Sequence, residues 1–132
     1  QWINDGQAKT STTHIANLVH AIELALTKGN GGQVYFILDD GVRTMKEIIS
    51  AIAATRGITL PGKSVPSWAA DTLAAVAEGA WRTFNLKGQP PVTRFGAMIM
   101  SRDSVLIDAK ARREMGYAPV ISVEEGLRQL SA

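Results

Sequence analysis

The 132-residue sequence has no cysteine. That excludes disulfides, thiolate metal sites and a cysteine nucleophile, and it fits a reducing compartment, so a cytoplasmic location is expected. No apolar run approaches the ~18 residues that a membrane span needs, and the opening residues do not read as a secretory leader. Charge of one sign is also scarce. The formal net charge is +2, and the tightest basic cluster, Lys110, Arg112 and Arg113, is too thin for the basic stripe that nucleic acid requires. Neither nucleic acid nor a membrane is therefore expected as a partner. Only two histidines occur, His14 and His20. Six positions apart, they do not share a helical face as an i, i+4 metal pair would, so no metal site is expected.

The remaining composition is that of one globular domain, with 45% hydrophobic and 20% charged residues. No internal repeat or composition shift divides the chain, so residues 1–132 read as a single domain. Because "QWINDG" reads like the middle of a protein, further sequence upstream is expected.

Along the chain, a polar turn around Asn4, Asp5 and Gly6 precedes a helix. Ile15, Leu18, Val19, Ile22 and Leu26 recur at helical spacing and predict its buried stripe, with Thr12 or Thr13 as cap. "GNGG" ends it. "VYFIL", Val34 to Leu38, predicts a short strand buried on both faces, as in a parallel sheet. After "DDG", Thr44 and Glu47 predict a capping box on a helix whose stripe is Met45, Ile48, Ile49 and Ile52, with Gly57 closing it. Ser67 is expected to cap a long helix that presents Ala69, Leu73, Val76, Ala80 and Phe84. "KGQPP" reads as a loop, Thr93 as the cap of a short helix over 94–100, and "SVLI", 104–107, as a second strand. Asp108 opens a helix that Gly116 stops and Pro119 keeps from resuming. Ser122 and Glu125 predict a second capping box, ahead of a final helix docked by Val123, Leu127 and Leu130.

Four stretches in this order carry a resemblance. "TSTTHIANLVHAIELAL", "GGQVYFILDDGVRTMKEIISAI", "DAKARREMGYAP" and "ISVEEGLRQL" together resemble the C-terminal part of the extended short-chain dehydrogenase/reductases, the NAD-dependent epimerase/dehydratase and 3β-hydroxysteroid dehydrogenase-like superfamily. In the family's His-Val-x-Asp motif, Ile15 stands for Val and Asn17 for Asp, and Met115 stands where Leu is commoner. The implied fold is α/β and helix-rich: a C-terminal substrate-binding part of an extended Rossmann-type dehydrogenase, with short parallel strands and about six helices. The resemblance implies NAD or NADP in the full-length protein, bound by an N-terminal Rossmann domain that this chain lacks and that would be its partner, together with a small-molecule substrate.

That superfamily reacts through a Tyr-x-x-x-Lys pair, and neither tyrosine here fits. Four residues after Tyr35 stands Asp39, and four after Tyr117 stands Ile121. The one glycine-rich run follows a helix and precedes a strand, the reverse of what pyrophosphate binding needs. No catalytic, cofactor-binding or metal-binding residue is therefore assigned, and the chain by itself is expected to be inactive. The substrate-side candidates are Trp2, Thr10, His14 and Arg94. Trp2, Trp68 and Trp81 are aromatics able to line an apolar pocket, although Trp81 is expected in the core or against the missing domain. His14 stands at a helix start beside a polar loop, where its commonest role is to bond backbone. Asn17, one turn on, is read as structural. Arg94 and Arg102 can reach an anionic group, though helix-end arginines are usually solvated.

Thr10 stands where nucleotide-sugar members of the superfamily carry an Arg that grips the substrate diphosphate. The loss of that fork favours a less charged substrate, a secondary alcohol or ketone of the hydroxysteroid kind, over a nucleotide sugar. A nucleotide-sugar epimerase or dehydratase, and a redox-inactive NAD(P)-sensing protein, are the two alternatives. Separated from its Rossmann half, the chain is expected to expose apolar surface and to self-associate as a homodimer or swapped dimer.

Overall fold

A computed structural model describes residues 1–88 and 93–131. Most of "KGQPP" therefore lies outside the described residues. The elements are β1 (Trp2–Ile3), a 3₁₀ turn (Asn4–Gly6), β2 (Lys9–Thr10), α1 (Ile15–Lys28), β3 (Arg43–Thr44), α2 (Met45–Ala54), β4 (Ser64–Val65), α3 (Ser67–Thr83), α4 (Arg94–Ser101), α5 (Ala109–Met115) and α6 (Val123–Leu130). The fold is helix-rich α/β, as expected. β1 pairs in parallel with β4, Trp2 opposite Ser64. β2 pairs antiparallel with β3, Thr10 opposite Arg43, and Thr10 also forms a parallel bridge to Ser104. That bridge is all that forms of the expected strand over 104–107.

Local signals set the helix ends. Thr44 and Glu47 form the capping box. Thr93 accepts from the Gly96 N–H at 3.0 Å, and Gly116 takes the left-handed conformation that stops α5. Four expected caps differ, Asp108 at α5 among them, since its side chain makes no cap bond. His14, not Thr12 or Thr13, caps α1, because both threonines are drawn away, to Asp39 and to the Ile37 carbonyl. Pro66 precedes α3, so Ser67 is its first helical residue. At α6 the Ser122 hydroxyl accepts from the Glu125 N–H, while the Glu125 side chain pairs with Arg128 instead of completing a box.

The burial of α1 and α3 is opposite to the expectation. α1 packs through Asn17 and Ala21, and its stripe of Ile15, Leu18, Val19, Ile22 and Leu26 is exposed, Leu26 by 83%. α3 packs through Ala70 and Ala74 against Ala97 of α4, leaving Leu73, Val76 and Phe84 outside. Small residues let these helix backbones approach closely, and the larger apolar residues on the other face stay in water. α2 is shallowly packed: its expected stripe is half-buried at best, with Ile52 exposed. In α6, Val123 docks as expected, Leu127 is half-buried, and Leu130 is exposed.

The segment 34–38 also departs from its expected form. It is extended but pairs with no strand among the described residues. Val34 and Phe36 face water, whereas Tyr35 and Ile37 pack on the core of Ala21, Ala111, Met115 and Tyr117. Alternation along an extended chain puts successive side chains on opposite faces, so one face of this segment is covered and the other is open.

Candidate functional site

The centre of the structure is a hydrogen-bonded knot around Asp39 and Asn17, both buried. Asp39 Oδ1 accepts from the His14 backbone N–H at 2.7 Å and from Asn17 Nδ2 at 2.7 Å, and Oδ2 accepts from the Thr12 hydroxyl at 2.8 Å. Asn17 Nδ2 also donates to the Ile121 carbonyl at 2.9 Å, while its Oδ1 accepts from the N–H groups of Val120 and Ile121 at 2.7 and 3.0 Å. Every donor and acceptor of the Asn17 amide is thereby used. The knot ties the start of α1, the end of segment 34–38 and the approach to α6. The structural reading of Asn17 holds. Asp39 was missed, because "DDG" reads as a turn and its partners are distant in sequence.

The stretch "DAKARREMGYAP" forms a clasp on residues 33–40. Arg112 is held by Asp108 at 2.9 Å and reaches Asp40 at 2.8 Å; the bond to Asp108, then that to Asp40, raises its pKa further. Asp108 thus grips Arg112 in place of capping the helix. Lys110 Nζ donates to Gln33 Oε1 at 2.6 Å and lies 4.9 Å from the centre of the Tyr35 ring. The Tyr35 hydroxyl donates to Glu114 at 3.0 Å, which, with help from Arg113, lowers the Glu114 pKa. The Tyr117 hydroxyl donates to the Leu38 carbonyl at 2.8 Å in a buried position. Both tyrosine hydroxyls are therefore spent on structure.

Burial, reinforced by Asp39, pushes the Tyr117 hydroxyl up from 10.0 to about 12. This has a signed consequence. Between these values an unfolded tyrosine has lost its proton and the folded one keeps it, so stability present below pH 10 is lost as pH rises toward 12. Chemical denaturation across that window is expected to show a decline, at most about 1.4 kcal/mol per pH unit from this group. Tyr117→Phe should lack that component and start lower by about 1 kcal/mol.

The four substrate-side candidates are not gathered into one cleft. Trp2 is buried in β1 beside Gly6, whose added Cβ would stand 2.9 Å from the indole. It lines a cavity of about 150 Å³ with Gln1, Ile49, Leu60 and Pro61. Thr10 is held in the β2 pairings. The His14 ring caps α1, Nδ1 accepting from the Ala16 N–H at 3.2 Å, and it lies on α6, where a Cβ on Gly126 would come within 2.7 Å of it. Arg94 begins α4 with its side chain exposed. Of the other aromatics, Trp68 is 70% exposed, and Trp81 is half-buried with no partner for its indole N–H among the described residues.

His14 therefore bonds backbone, and a double-mutant cycle tests the seating of its ring on α6. Gly126→Ala is expected to cost about 1–3 kcal/mol by overpacking. In a His14→Ala background most of that cost should vanish, because the ring it strikes is gone. Equal costs in both backgrounds would contradict the contact.

The glycine-rich run from Gly29 to Gly32 does not fit a dinucleotide's phosphates. Gly29 is the C-cap of α1, and the run to Gly32 leads into extended chain, so it opens no helix whose N-terminus could take a pyrophosphate. Among the described residues, no group of three or more His, Asp or Glu could hold a metal ion.

Comparison with known proteins gives the context for this arrangement. The chain is 33% identical over 130 residues to 4-hydroxy-2-methyl-3-oxo-4-farnesyl-3,4-dihydroquinoline-1-oxide ketoreductase of Stigmatella aurantiaca, covering 98% of this chain and 39% of that protein. It is 35% identical over 135 residues to 2-alkyl-3-oxoalkanoate reductase of Stenotrophomonas maltophilia, covering 98% and 41%. The chain fits the epimerase/dehydratase superfamily of the short-chain dehydrogenase/reductases. Sterol-4-alpha-carboxylate 3-dehydrogenase, decarboxylating, of Dictyostelium discoideum is 27% identical over 98% of this chain and 40% of its own length.

Two crystal structures share this chain's fold. That of gox2253 has TM-score 0.65 and 21% identity, over 91% of this chain and 36% of that one. That of dTDP-glucose 4,6-dehydratase from Bacillus anthracis, in complex with NAD, has TM-score 0.59 and 20% identity, over 98% and 32%. No protein-family model matches the chain. The chain thus spans about two fifths of the length of these superfamily reductases. No helix among its described residues is long and apolar enough to cross a membrane.

Proposed function

We propose that this chain is the substrate-side region of an NAD(P)-dependent oxidoreductase that interconverts a ketone and a secondary alcohol, of the 3β-hydroxysteroid dehydrogenase-like kind. The observation that carries the reading is the match of almost the whole chain to about two fifths of two ketone reductases. The structure supports it in two ways. Both tyrosine hydroxyls are committed to Glu114 and to the Leu38 carbonyl, as suits a region that leaves proton transfer to another part of the enzyme. One face of segment 34–38 and the adjoining stripe of α1 are apolar and open, as a region built to be covered by a cofactor-binding domain would be.

On this reading the chain contributes shape and apolar wall rather than proton transfer. Thr10, in place of a diphosphate-gripping arginine, suits an oxo substrate less charged than a nucleotide diphosphate and sets the nucleotide-sugar alternative behind this one. The test is consumption of NADH or NADPH by the full-length protein that carries this chain, cofactor-binding domain included, with a 2-alkyl-3-oxoalkanoate or a 3-oxosteroid. Ketone-dependent consumption with either nucleotide is the expected result. None with any pairing would overturn the reading.

A further inference from the structure

The glycine-rich run between α1 and segment 34–38 has no part in the reductase reading, but it carries a chemistry of its own. Of the four asparagines, Asn4, Asn17, Asn30 and Asn85, only Asn30 precedes a glycine. It opens a turn. The Gln33 N–H donates to the Asn30 carbonyl at 3.2 Å, and Gly32 supplies the positive φ, +77°, that the turn needs. A side chain added at Gly31 or Gly32 would meet nothing within 4 Å.

The main-chain nitrogen that follows each asparagine separates Asn30 from the rest. After Asn4, the Asp5 N–H donates to the Ser64 hydroxyl at 2.8 Å. After Asn17 and Asn85, the Leu18 and Leu86 N–H groups donate to the carbonyls of His14 and Trp81, at 3.0 and 3.1 Å. Among the described residues, the Gly31 N–H has no backbone partner. Asn30 is also tied to the clasp. Its own N–H donates to the Tyr35 hydroxyl at 3.2 Å, and that hydroxyl donates to Glu114 at 3.0 Å. The Glu114 carboxyl is held below its ordinary range by Tyr35 first, then by Arg113 and Lys110, and also by the Asn30 side-chain amide.

We propose that Asn30 is a self-modification site, whose slow deamidation by the Gly31 nitrogen loosens the clasp of α5 on residues 33–40. The Gly31 nitrogen bonds to the carbonyl carbon of the Asn30 side chain. The amide C–N bond there breaks, and its nitrogen leaves as ammonia with the proton that Gly31 gives up. Water then opens the cyclic imide at one of its two carbonyls. One opening leaves aspartate at position 30. The other leaves isoaspartate, with one more carbon in the main chain. Either product sets a carboxylate where a neutral amide helped to hold Glu114, and like charges at close range repel. The second also lengthens the turn that Gln33 closes. The nearby cations are already engaged, Lys110 by Gln33 and the Val34 carbonyl, and Arg113 by Glu114. The proposal does not depend on the redox reading.

The test is ageing of the full-length protein that carries this chain, at mildly alkaline pH, followed by tryptic mapping. The fragment 29–43 should gain the mass of amide-to-acid conversion at position 30, with aspartate and isoaspartate both present, while Asn4, Asn17 and Asn85 stay intact. Gly31 is not left-handed and has room for a methyl group. Gly31→Ala should therefore fold normally and slow the conversion at least about tenfold, because a Cβ hinders the nitrogen and narrows its backbone freedom. Asn30→Asp, standing for one product, should speed hydrogen exchange of residues 33–38 at least about threefold. An Asn30 amide that outlasts the other three, or conversion that Gly31→Ala leaves as fast, would overturn the modification. Exchange in Asn30→Asp equal to wild type would overturn its effect on the clasp.

Discussion

Asn17→Ala is expected to unfold this structure more readily than any other single truncation in it, by about 3–5 kcal/mol. The reason is the number of groups left unpaired. Removing the amide strips Val120 and Ile121 of the acceptor for their N–H groups and takes one donor from Asp39. A buried polar group without a partner costs roughly 1–3 kcal/mol. Water cannot easily replace them, because Asn17 is fully buried.

Asn17→Asp separates shape from hydrogen bonding. It keeps the volume and an acceptor for Val120 and Ile121, but faces Asp39 Oδ1 with an oxygen where a donor stood 2.7 Å away. At neutral pH that variant should lose about as much as Asn17→Ala. Its deficit relative to wild type should shrink as pH falls and the repulsion is relieved by protonation. Equilibrium denaturation at two pH values reads both effects. A loss below about 1 kcal/mol for either variant at neutral pH would mean the knot is not what joins α1 to α6.

Met115→Ala is the second large effect, expected at about 2–5 kcal/mol. Met115 is 1% exposed and packs with Ala21, Ala111 and Tyr117, against which Tyr35 and Ile37 lean. Truncation leaves a cavity under the clasp. Ala21 and Ala111 have no side-chain length to fill it, and Tyr117 is held by its bond to Leu38. Met115→Leu, the residue commoner in the resembling families, should cost less than about 1.5 kcal/mol, as a swap of nearly equal volume. If both variants melted like wild type, α5 would not be the anchor of residues 33–40.

Helix ends were legible in the sequence to the extent that their causes are local. Thr44 with Glu47, Thr93 and Gly116 act within a few residues, and the structure has all of them. The α1 cap was not legible, because Thr12 and Thr13 are diverted to residues some 25 positions away, and distance in sequence hides such competition. Helical spacing also found the apolar stripes of α1 and α3 but assigned them to the core. Periodicity tells that a helix has an apolar face. It does not say whether the cover for that face lies in the same chain, and here the alanine faces turn inward. Segment 34–38 failed as a strand for the same reason, since a strand needs a neighbour.

Of the candidate site, Trp2, Thr10 and His14 turned out to be held by the fold. The signal for Asp39 was present as an acid next to a predicted strand end, with no way to read its partners.

The central claim is that this chain shapes an oxidoreductase without supplying its proton-transfer group. The most direct measurement is ketone-dependent NAD(P)H consumption by the full-length protein carrying Tyr35→Phe and Tyr117→Phe together, assayed well below its melting temperature. The account predicts kcat within about tenfold of wild type, because both hydroxyls serve packing, and loss of a general acid costs about 100-fold or more. A fall of 100-fold or more with the fold intact would place the catalytic acid inside this chain and contradict the account.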